Sequence, residues 1–102
     1  MQLVQILLPL SDAAGRRFSG ELYDRVAAEV TERYGGVTAF VWAPATGLWR
    51  PTPGRTTRDE IVVYEVMVEH LDHAWWSSYR AVLESRFAQS ELVIRAHEIE
   101  RL

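Results

Sequence analysis

The stretch from Ile61 to His70, I-V-V-Y-E-V-M-V-E-H, constrains the fold of this chain more than any other. Val62, Tyr64, Val66 and Val68 form an unbroken apolar face at a period of two residues, and a run this rich in β-branched side chains belongs at the centre of a sheet. Its other face, Ile61, Val63, Glu65, Met67 and Glu69, is mixed. It is too apolar for full exposure and too charged for a uniform core, so an interface or a pocket is expected there.

The remaining elements follow from the same reading. Gln2 to Leu10 is a second strand, with Val4, Ile6, Leu8 and Leu10 on one face and Leu3, Gln5 and Leu7 on the other. Pro9, which has no backbone donor, marks its end. The segment is too short to span a bilayer and lacks the basic start and small-residue cleavage site of an export signal, so no membrane contact is expected. After the polar turn S-D-A-A-G-R-R, Ser19 is placed to cap a helix. Leu22, Val26, Val30 and Tyr34 recur along it every four residues, Tyr23 and Ala27 widen the stripe, and Gly35 and Gly36 stop it. Val37 to Ala43 is a short strand whose faces are Val37/Ala39/Val41 and Thr38/Phe40/Trp42, and the pattern does not choose between them. Asp72 caps a second helix whose core stripe is Trp76, Tyr79, Leu83 and Phe87, broadened by Trp75 and Val82. In the last strand Leu92, Ile94 and Ala96 face one way, and Val93, Arg95, His97 and Ile99 the other.

Strand, helix, strand, strand, helix, strand is the order of the ferredoxin-like β-α-β-β-α-β fold. This α+β architecture has an antiparallel four-stranded sheet ordered 4-1-3-2 and both helices on one face. The 102 residues are expected to form a single domain, 1–102, around one core. A net charge of -3 argues against nucleic acid as a partner, since phosphate binding normally needs a basic surface. The absence of cysteine removes disulfides and thiolate chemistry and points to a reducing compartment, so a cytoplasmic location is expected.

No motif names a reaction. Ser11, Ser77 and Ser78 have no histidine at a recognisable spacing, and no glycine-rich phosphate loop is present. The H-L-D-H run at 70–73 has the residue density of a metal site, but a strand-to-helix junction aims those side chains apart, so neither a metal nor a cofactor is expected. Chemistry, if any, lies on the mixed face. Glu65, Arg95 and His97 are the catalytic candidates, projecting with Gln5 from one side of the sheet above a floor of Leu7, Val63, Met67 and Val93. A carboxylate, a guanidinium and an imidazole on such a floor suit acid/base work or anion binding. With the first strand between them, Glu65 and Arg95 should stand two strand spacings apart, about 9 to 10 Å, sharing a ligand more readily than a direct ion pair. The same residues could equally be ordinary polar groups of a dimer face.

The connection P-A-T-G-L-W-R-P-T-P-G-R-T-T-R, residues 44–58, is longer than a hairpin needs. Its Arg50, Arg55 and Arg58 join Gln5 and Met67 as ligand-binding candidates, since arginine forks suit carboxylates and phosphates and the loop could act as a lid. Alternatively these arginines pair with Asp59 and Glu60 in a solvated loop.

Three runs, R-Y-G-G-V-T-A-F, G-L-W-R and F-A-Q-S-E-L-V-I-R, resemble small bacterial proteins of unknown function with a ferredoxin-like fold. More broadly the chain looks like the dimeric α/β-barrel proteins, in which two sheets meet open face to open face around a cavity. Some of these are small monooxygenases or degradative enzymes and others only bind ligands. The resemblance implies a homodimer through the open sheet face, with a small-molecule ligand in the cavity as the alternative. It brings no catalytic residues with it.

Overall fold

The computed structural model of the chain describes residues 1–42 and 61–102, the side chains of residues 39–42 excepted. In chain order the elements are β1 (Gln2–Pro9), α1 (Gly20–Tyr34), β2 (Thr38–Trp42), β3 (Ile61–Val68), α2 (His73–Arg86) and β4 (Ile94–Glu98). They make an α+β fold with an antiparallel sheet. The strands lie in the order β2-β3-β1-β4, so β3 and β1 occupy the centre.

Each boundary has a local cause. The Ser19 hydroxyl accepts from the Glu21 N–H at the start of α1, and Gly35, at φ 87°, ends it by donating its N–H to the Thr31 carbonyl. Asp72 caps α2 through the Trp75 N–H. The end of α2 was not anticipated from sequence. Gln89 donates to the Glu84 carbonyl and Ala88 to that of Ser85, the two bonds of a Schellman motif. The left-handed position that glycine usually takes in that motif is held by Ala88 at φ 51°.

The alternation of β1 and β3 sorts the two faces as expected. Val4, Ile6 and Leu8 join Val62, Tyr64, Val66 and Val68 in one buried cluster with Val26, Val30, Trp76, Tyr79, Leu83 and Phe87 from the helical layer. Burying those side chains is the main stabilising term. Two hydroxyls orient α1 on this core: Tyr64 donates to the Tyr23 carbonyl and Tyr23 to that of Pro9. Desolvation, the main cause in each, raises both phenol pKa values, which keeps the hydroxyls as donors. The register also sorts strand 37–43. Thr38, Phe40 and Trp42 stand opposite Glu65, Val63 and Ile61, whereas Ala39 and Val41 stand opposite the core residues Tyr64 and Val62.

Four expectations are corrected. The strand read as Ile61 to His70 ends at Val68, because the chain turns there toward the Asp72 cap. β4 begins at Ile94 rather than near Leu92, although Leu92 is buried and the Leu7 N–H still reaches the Val93 carbonyl. Ala96 is exposed, since β4 is an edge strand with a neighbour on one side only. Val82 does not broaden the α2 stripe but is 47% exposed. At 3.6 residues per turn it lies roughly 100° around the helix from the centre of the stripe.

Candidate functional site

The side of the sheet away from the helices carries a polar row set by pairing alone. Gln5 stands opposite Glu65 of β3 on one side and Arg95 of β4 on the other, and Thr38 of β2 stands opposite Glu65. Directly opposed residues of antiparallel strands project from the same face, so Thr38, Glu65, Gln5 and Arg95 cross the whole sheet. Gln5 joins the two charges: its Nε2 donates to Glu65 Oε2 at 2.6 Å, and Arg95 Nε donates to its Oε1 at 2.8 Å. The Glu65 and Arg95 side chains thus belong to one network without a direct ion pair, as their separation by two strand spacings requires.

The second row is Met67, Leu3 and His97. His97 therefore shares the face with Glu65 and Arg95, one row along. The structure brings together the three catalytic candidates and both described ligand-binding candidates, Gln5 and Met67, on one surface. Arg50, Arg55 and Arg58 lie outside the described residues.

The expected apolar floor is only partly available. Val63 is 2% exposed, yet it does not belong to the cluster beneath the helices. The face is closed over Val63 and open at its Met67 end, where Met67 is 48% exposed; Val93, in the Val63 row where the Leu7 N–H reaches its carbonyl, is also 48% exposed, at the β4 edge. Sequence pattern made Val63 and Met67 equivalent, because both have the same parity on β3; their surroundings make them different.

A groove of about 470 Å³ borders the open end, lined by Leu3, Glu65 and Met67 together with Tyr34, Gly35 and Thr38. It arises where β2 stops pairing. Thr38 is the last partner of Glu65, so Val66 to Val68 have β1 on one side and, among the described residues, no strand on the other. Arg95 and His97, across β1, do not line it. The groove therefore takes one of the three catalytic candidates, and the arrangement is not a converged triad of acid, base and anion clamp. Tyr34, read from sequence only as part of the α1 stripe, lines this groove and a second one of about 450 Å³ beside Met67, His70 and Arg101. The Gly35–Gly36 pair, which delays the start of β2 to Thr38, is the signal that could have located it.

Of the H-L-D-H residues, Asp72 serves local structure. Asp72 accepts from the Trp75 N–H with one carboxylate oxygen and from Arg33 with the other, and Arg33 also lies over the Trp75 ring. Among the described residues no three histidine, aspartate or glutamate side chains gather where they could hold a metal ion, and no helix is long and apolar enough to cross a membrane. None of the protein-family models, curated proteins or solved structures with which the chain was compared matches it.

Proposed function

We propose that the chain is a ferredoxin-like domain of the dimeric α/β-barrel kind that works in the cytoplasm as a homodimer, joined through the sheet face opposite the helices. One observation carries this reading: Met67 at one end of the sheet face opposite the helices and Val93 beside Leu7 toward the other, both large and apolar, are half exposed, with no second layer over them among the described residues. An antiparallel sheet commonly buries both faces or turns a polar one to water, and among the described residues this face is neither fully covered nor wholly polar. The absence of cysteine supports a reducing compartment.

Light scattering on the eluting protein tests it. The expected mass at micromolar concentration is twice the 11.7 kDa of the chain, and Met67→Arg is expected to reduce it to that of one chain. A wild-type monomer under those conditions sinks the proposal.

A second reading is favoured by the groove beside Glu65: a small molecule seated there, with Glu65 as its polar anchor and Leu3 and Met67 as its apolar wall. The arginine-bearing 44–58 segment as a lid belongs to this reading. A fragment screen followed by nuclear magnetic resonance would support it if the Leu3, Glu65 and Met67 signals moved together. No ligand that moves them would count against it.

A further inference from the structure

Self-association leaves open how the two sheets meet, and the polar row across the open face narrows the answer. Glu65 and Arg95 stand on opposite sides of the central strand β1, held at equal register by Gln5. Each keeps bonding capacity beyond that bridge. The Glu65 carboxylate uses Oε2 toward Gln5 and retains a second oxygen, and the Arg95 guanidinium uses only its Nε, leaving both terminal nitrogens with their donors. The face thus presents a minus end and a plus end on either side of β1.

Two copies packed face to face about a two-fold axis have two aligned choices, because strands of stacked sheets stay within about 30° of one another. With the axis across the strands, Glu65 meets Glu65 and Arg95 meets Arg95, which sets like charges together in a closing interface. With the axis along β1, the row is reversed in the partner: each Glu65 faces an Arg95, Gln5 faces Gln5, and Leu3 faces Leu3. An orthogonal packing would set the charged ends over the apolar residues of β1, removing them from water without a partner.

We infer that the occupant of the open face is a second copy of this chain related by a two-fold axis parallel to β1, with Glu65 of each protomer paired to Arg95 of the other. This rests on the self-association proposed above and adds the partner's orientation. The pairing sets register and selects against wrong partners more than it adds raw affinity. It also gives the Glu65–Gln5–Arg95 row a role that needs no substrate.

Because the chain has no cysteine, single introduced thiols report on the geometry without background. Leu3→Cys is expected to cross-link to itself with a short bismaleimide. In the other arrangement Leu3 faces Leu7, and cross-linking needs a mixture of Leu3→Cys and Leu7→Cys. In parallel, Glu65→Arg and Arg95→Glu are each expected to weaken the dimer about tenfold or more, since each sets like charges against the partner. An equimolar mixture of the two variants is expected to recover a dimer. Circular dichroism shows whether each variant folds, and the cysteine variants, which leave the charges in place, decide the matter if a charge reversal does not. A wild-type dimer that ignores both reversals, or that cross-links only in the mixed Leu3→Cys and Leu7→Cys sample, overturns the pairing while self-association stands. A wild-type monomer overturns both.

Discussion

Glu29 joins the two helices of the layer above the sheet: it accepts from both terminal nitrogens of Arg86, at 2.6 and 3.0 Å, and from the Tyr79 hydroxyl at 3.0 Å. The Arg86 side chain is 8% exposed and that of Glu29 38%, so the guanidinium depends on this carboxylate. The Arg86 hydrogen bond holds the Glu29 pKa below its ordinary value. Burial, reinforced by Glu29, pushes the Tyr79 phenol far up, which keeps it a donor. A depressed carboxylate pKa contributes stability that is fully present above the unfolded value of 4.5 and is lost as pH falls through the folded value. Glu29→Gln is therefore expected to cost about 1–3 kcal/mol at neutral pH, discounted for the solvent around Glu29. It should also flatten the loss of stability between pH 4.5 and the folded value. Urea denaturation of both proteins across that range checks it, and parallel pH profiles would refute it.

The elements are ended by two left-handed residues of unequal fitness. Gly35 suits φ 87°, and a Cβ there would meet no heavy atom within 4 Å, so Gly35→Ala isolates backbone strain. It is expected to cost about 1–2 kcal/mol. Ala88 holds the equivalent position after α2 at φ 51° with a Cβ already present. Ala88→Gly is expected to stabilise by about 0.5–1 kcal/mol, because the strain relieved exceeds the added freedom of the unfolded chain. Thermal melts of the two variants should move in opposite directions. The contrast also shows what was legible in this part of the sequence. Gly35–Gly36 announces a helix end, whereas the end of α2 depends on a conformation that no residue type near Ala88 advertises.

At the scale of the molecule, the proposed dimer would couple stability to association. If Met67, Val93 and the Glu65–Gln5–Arg95 row are covered by a partner, the melting temperature should rise with protein concentration, since binding only the folded state stabilises it by mass action. Calorimetry at two concentrations a hundredfold apart reads this directly, and a constant midpoint would indicate that the chain folds alone. How much of this arrangement the sequence held depends on the distance over which its pattern acts. Alternation on β1, β3 and β4 put Val4, Ile6, Leu8, Val62, Tyr64, Val66 and Val68 in the core and Gln5, Glu65, Arg95 and His97 opposite it, because strand parity is a property of the backbone. Ser19, Asp72 and Gly35 marked helix ends through bonds to their own neighbours. The tertiary structure alone decided that Gln5 bridges Glu65 and Arg95, since that needs the register of three strands at once. It alone decided that Val63 is buried while Met67, of identical parity on the Ile61 to His70 stretch, is half exposed. Burial depends on what lies above a residue, and a period of two residues carries no information about that.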